Sequence, residues 1–203
     1  MNKLTFSDGF STSFRLAMSQ FWSILGACLL WLITIWIPYI NVGTTIGLIR
    51  LQIKLGRGEK ISAGEIFDPE NRIPMGKIFL LWSFMATGIT IGFIFFIIPG
   101  IVLWYAWFFS SMLILVKKLD PIQAMSKSYD LTYGYKWVIF FIMLVIQIVY
   151  GLAGNLIPIL VYNVQGVMGA IIGLLLILAI YIIGSIWLMT SYGYMYALSL
   201  IHI

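Results

Sequence analysis

Charge is what this sequence has least of. Of its 203 residues only 9% are charged, against 62% hydrophobic, and the mean hydropathy is +1.03. A soluble domain carries about 25% charge, and a chain this apolar has too few polar groups to cover a watery surface. Histidine and cysteine are almost missing, one of each, His202 and Cys28. A single histidine excludes a His-built metal site and a Ser-His-Asp triad. A single cysteine excludes an intramolecular disulfide, and inside an apolar run Cys28 reads as a small packing residue. No CxxC, HExxH, GxSxG or P-loop pattern occurs. No small-x-small cleavage site follows the first apolar stretch, so that stretch is expected to stay on the chain as a signal anchor.

What is present is long apolar sequence. Residues 21–49, 78–116 and 137–201 hold no charged side chain, and each run exceeds the roughly 18 residues that mark a membrane span. The 12 Lys and Arg and the 7 Asp and Glu fall in three blocks, 3–15, 50–77 and 117–136. The connections at Pro38, at Pro99-Gly100 and from Pro158 to Gln165 hold none. This predicts an all-α fold, a polytopic transmembrane bundle forming one integral membrane domain over 1–203. About six spans are expected at 20–37, 41–56, 78–98, 101–116, 137–156 and 167–189, paired as three hairpins. Basic residues on one face only place that face in the cytoplasm. Both termini then lie inside, and the location is the inner (plasma) membrane. The second helix carries Arg50 and Lys54, which reach its cytoplasmic end by snorkelling. Should that helix stop short, the count becomes five with the N-terminus outside.

The hairpins are expected to turn at Pro38, at Pro99 with Gly100, and at Pro158, each proline preceded by isoleucine and spaced about 60 residues apart. Hairpin units of about 1–56, 57–119 and 120–203 follow. Segments 10–24 and 125–139 align without a gap, pairing Ser13 with Ser128 and Trp22 with Trp137. Both read as amphipathic helices, lying in the membrane interface or packed on the bundle. Asp120-Pro121 caps the second, and Ser7 or Asp8 is expected to cap the first. The pairs Gly43/Gly47, Gly88/Gly92 and Gly169/Gly173 have helix-packing spacing. TSYGYMYALS, 190–199, is expected to end the last helix at the cytoplasmic interface.

Two groups of side chains stand out as candidate sites. Lys117, Lys118, Lys127 and Lys136 are placed to meet anionic headgroups of the cytoplasmic leaflet, or to act as topology determinants alone. Arg50, Gln52, Gln147 and Asn155 are the candidate intramembrane polar site. No Asp or Glu lies in an apolar run, although ion-coupled carriers usually hold a carboxylate there. Asp68 and Glu70 form an acid pair on the charged face, read as a solvated loop. The expected function is non-enzymatic, a scaffold or accessory protein engaging lipid or a partner. The alternative is a transporter or channel-like permeation unit. No cofactor is expected. The expected partners are the lipid bilayer and a membrane protein or second copy. Nucleic acid is not among them, because topology already accounts for the basic charge.

Three segments carry a family likeness: GLIRLQIKLGRGEKISAGEIFD (47–68), FIIPGIVLWYAWFFSSMLILV (96–116) and DPIQAMSKSYDLTYGYKWVIF (120–140). They include Arg57-Gly58-Glu59, Ile98-Pro99-Gly100, and Pro121 with Ala124, Ser128, Gly134 and Trp137. The chain resembles a family of prokaryotic multispanning membrane proteins that includes YciC-like proteins. It is also similar to the membrane domain attached to some glycerophosphoryl diester phosphodiesterases. The resemblance implies a polytopic membrane fold. The phosphodiesterase chemistry belongs to a separate soluble domain, so no catalytic residue comes with it.

Overall fold

The computed structural model describes residues 6–162 and 166–200. Among these residues there are nine α-helices, two short 3-10 helices and no strand. α1 (Phe6–Ser19), α2 (Phe21–Thr34) and α3 (Pro38–Gly56) lead into the 3-10 turns Ala63–Phe67 and Pro69–Arg72. α4 (Met75–Phe95), α5 (Ile97–Ala106) and α6 (Ser110–Lys117) come next, then α7 (Pro121–Thr132), α8 (Lys136–Tyr162) and α9 (Gly166–Leu200).

Four stretches are long and apolar enough to cross a membrane: Met75–Phe95, Ile97–Lys117, Lys136–Leu156 and Ile171–Ser199. A fifth is α1 with α2 if counted together, but the pair bends by 79°. The first hairpin is therefore shorter than the six-span expectation required. The 14 residues of α2 rise only about 21 Å, against about 30 Å of hydrocarbon. Its arms are tied by polar side chains. Trp31 Nε1 donates to Thr45 Oγ1 at 2.9 Å, and the hydroxyls of Thr34 and Thr44 lie 3.0 Å apart.

Two of the expected turns fall elsewhere. The second hairpin reverses at Phe96, whose extended backbone separates α4 from α5, while Pro99 and Gly100 lie inside the first turn of α5. The missing N–H of Pro99 costs nothing there, because first-turn donors have no intrahelical partner. Gly100 serves packing instead: a Cβ on it would run into the Phe93 ring, and it sits against Gly92 across the hairpin. Pro158 does not turn the chain either; α8 continues through it to Tyr162. In an apolar run the helix keeps peptide groups paired for one more turn. The connection at 163–165 lies outside the described residues. Pro38 does mark the first turn, as the opening residue of α3. Ser7 and Asp8 do not precede α1, which is already helical at Phe6.

Ile97–Lys117 is broken in its middle, where 107–109 leave the α-helix between α5 and α6. α7 repairs the break. Fully buried Ser128 donates to the Ala106 carbonyl at 2.8 Å and accepts the Phe109 N–H at 3.1 Å. Ala124 and Thr132 share that buried face of α7, one turn to either side. α1 docks in a similar way on α9. Buried Ser13 accepts from Trp187 Nε1 at 3.0 Å and from Ser191 Oγ at 2.9 Å. The rings of Phe10 and Phe14 pack edge-on against Trp187.

The core is a single cluster dominated by Ile and Leu, including Ile46, Leu81, Leu113 and Ile142. The tyrosine-rich stretch 190–199 forms the end of α9, and part of it packs into the core. Met195 and Tyr196 are buried, and Gly193 meets α3 backbone to backbone. Loss of the side chain lets α9 approach α3 more closely than any larger residue allows. By contrast Trp22, Trp36, Tyr39 and Trp137 are exposed, as side chains of an interfacial aromatic belt are.

Candidate functional site

The motifs at 57–59, 120–121 and 134 have local structural jobs. Arg57-Gly58-Glu59 ends α3. Gly58 is left-handed at φ +75°, its N–H bonds Leu55 O, and the Glu59 N–H bonds Lys54 O. That double bond is the Schellman pattern, which favours glycine. Gly134, at φ +80°, turns the chain between α7 and α8, with Tyr135 N–H on Thr132 O. Asp120-Pro121 opens α7 as expected, and the Asp120 N–H reaches Gln123 Oε1.

The charged end of the bundle holds a cleft of about 380 Å³. It is bounded by the last turns of α3, the second 3-10 turn, the start of α4 and the end of α6. Arg50, Lys77 and Lys118 supply three cations and Glu70 one carboxylate, while Ile73, Pro74, Ile114 and Leu115 form the apolar wall. Arg50 Nη1 stands 3.5 Å from Glu70 Oε2, and Nη2 donates to the Glu70 carbonyl at 3.3 Å. Arg50 Nε is buried with no partner. Lys77 Nζ is 2.6 Å from Asp120 Oδ1. Among the described residues no carboxylate lies within ion-pair distance of Lys118. With Asp120 counted, the cleft keeps one net positive charge.

Side chains also fasten the loop that follows α3. Lys54 Nζ meets Glu65 Oε2 at 2.6 Å. This hydrogen bond, helped by the Ser62 N–H, holds the Glu65 carboxyl below its ordinary 4.5. Asp68 Oδ1 accepts the Glu70 N–H at 2.9 Å. Asp68 and Glu70 thus cap and anchor the loop. Gln20, at the α1–α2 elbow, clamps the same loop: its amide donates to Glu59 O and accepts the Ile61 N–H, both at 2.8 Å.

The four expected headgroup lysines separate. Lys118 lines the cleft. Lys117 is exposed at the end of α6, and Lys127 is half-buried on α7. Lys136 lies with Nζ 3.7 Å above the Tyr129 ring, a cation–π contact. The four expected intramembrane polar residues separate too. Gln52 lines a second cleft of about 270 Å³ with Met85, Trp104, Ser111 and Tyr192. Gln147 is exposed on α8. Asn155 bonds the Gly151 carbonyl and Tyr181 Oη. Arg50 belongs with Lys118 rather than with Gln52. Lys77 and Gln20 were not among the residues singled out in sequence. The available signal for Lys77 was its place at the boundary of an apolar run, the same place held by Arg50, with Lys118 one residue beyond another such boundary. Comparison with known protein-family models, with curated proteins and with solved structures returns no match.

Proposed function

We propose that this chain is a multi-pass protein of the inner (plasma) membrane, non-enzymatic, acting as a scaffold or accessory that engages lipid or a partner membrane protein. Three hairpins enter from the cytoplasmic face, the first reaching less deep, and both termini stay inside. The carrying observation is the closed packing of the interior. Ile46, Leu81, Leu113, Ile142 and Ile146 fill the core, while Gln52, Gln147 and Asn155 occupy separate places instead of lining one path. A permeation unit would need them on one path.

The reading of three related units, as in the family resembled, is supported by how surface segments dock. The 3-10 segment ahead of the second hairpin packs on both arms of the first, α2 and α3. α7, ahead of the third, packs on the second hairpin, chiefly on α6 and also on α4 and α5. α1, ahead of the first, packs on α9, the return arm of the third. The order closes into a ring, and Ser13 and Ser128 occupy matching places in it. Purification in native lipid, with co-isolated proteins and lipids identified, tests the function. A specific retained partner or lipid is the expected result. Solute flux through liposomes holding the protein alone would refute the scaffold reading. A cysteine at Trp36, in a chain carrying Cys28→Ser, should label from the non-cytoplasmic side. Labelling from the cytoplasm only would sink the hairpin topology.

A further inference from the structure

We propose that the cleft between α3, α4 and α6 binds the phosphate of an anionic lipid, with Arg50, Lys77 and Lys118 as its ligands. The inference rests on the membrane reading above and deepens it. Four observations converge. The cleft is net positive even with Glu70 and Asp120 counted. Arg50 presents a buried Nε with no protein acceptor, a state that costs free energy unless a partner arrives. Pro74 caps α4 without a side-chain hydrogen bond and lines the cleft, so the positive end of a 21-residue helix opens on the same space.

The fourth observation concerns the backbone. Lys118 is the one non-glycine residue with positive φ among the described residues, at φ 55° and ψ 27°. Glycine is the low-cost residue at such a helix end. A lysine held there, beside a cleft and without a carboxylate partner, is explained by its charge rather than by its backbone. The apolar wall of Ile73, Pro74, Ile114 and Leu115 selects a lipid over a free phosphate, because glycerol and the first acyl carbons have a seat. Glu70 is the opposing group. Its carboxylate is 68% exposed and 3.5 Å from Arg50, so an entering phosphate displaces it from the guanidinium.

The full chain is purified in a zwitterionic detergent and titrated with short-chain phosphatidic acid. Short-chain phosphatidylcholine and inorganic phosphate are the control ligands, and native mass spectrometry and melting temperature are the readouts. Saturable one-to-one binding of phosphatidic acid is expected. Lys118→Gly should weaken it about fivefold while raising the melting temperature of the lipid-free protein. Glu70→Gln should tighten binding, and Lys127→Ala should leave it unchanged. Should Lys118→Gly fail to fold, Lys77→Gln carries the same expected loss. Equal weakening by Lys127→Ala, equal binding of phosphatidylcholine, or no saturable binding overturns the proposal. Inorganic phosphate binding as tightly as phosphatidic acid overturns the lipid assignment. Failure here, in a protein that still co-purifies with a partner and conducts no solute, removes the cleft site and leaves the scaffold reading standing.

Discussion

Replacing Ser128 with alanine tests whether α7 holds the broken span together. The serine is fully buried and bridges the two sides of the break, donating to Ala106 O and accepting from Phe109 N–H. Alanine removes both bonds and creates no overlap. Two lost bonds cost about 1 kcal/mol each, and the orphaned Phe109 N–H adds about 1–2 kcal/mol of uncompensated desolvation. Thr132 Oγ1 already lies 3.4 Å from Ala106 O and recovers a part, so the net loss should be about 2–3 kcal/mol. Equilibrium unfolding in mixed micelles, followed by tryptophan fluorescence, reads it directly, since Trp107 stands in the break. Ser126→Ala, at an exposed position on the same helix, is the control and should stay within about 0.5 kcal/mol. A Ser128→Ala loss no larger than the control's would mean the break is held by other contacts, and the reasoning fails.

Four other outcomes follow from the structure. Gly193→Ala sets a methyl against the Gln52 carbonyl, so α3 and α9 must part; a loss of about 3 kcal/mol or more is expected. Gly151→Ala, which meets nothing within 4 Å, should instead gain about 0.5–1 kcal/mol; thermal melts of the two variants in one detergent compare the signs. Gln20→Ala breaks both bonds to the 59–61 loop and should cost about 1–2 kcal/mol, seen as faster amide exchange at Ile61. The Glu65 carboxyl sits below its ordinary 4.5, so its contribution is complete above that pH and is lost as pH falls through the lowered value. Because Lys54 and Glu65 are 43% and 33% exposed, that contribution is about 1 kcal/mol or less. Amide exchange across 63–72 should rise on acidification, and Glu65→Gln should abolish that acid dependence.

Several elements were legible because their causes are local. Asp120-Pro121 starts a helix wherever it stands before a helix-forming segment. Gly58 ends one because a left-handed residue is needed there. Length and hydropathy alone identify 75–95 and 136–156 as spans. The prolines misled because proline has two low-cost places near a hairpin, in the turn or in the first turn of the following helix. Pro99 took the second. The 107–109 break carries neither proline nor glycine, and its repair group, Ser128, lies in a different segment. No reading of 97–117 by itself could find it. The closest helix crossing was also hidden. Gly56 and Gly193 meet across α3 and α9, and Gly56 has no small residue four positions away in α3 to mark the contact, although Gly193 has Ala197 in α9.

The sequence by itself determined the helical class and the stretches long and apolar enough to cross a membrane. Those depend on composition and on runs of about 20 residues, and lipid leaves the backbone little choice but to be helical. Tertiary structure alone decided which charges meet. Arg50, Lys77 and Lys118 lie on three helices far apart in the chain, and only the packing of α3 against α4 and α6 brings them to one cleft. Electrostatic sites follow distance in space, which falls off within several ångströms, and sequence separation carries no record of it.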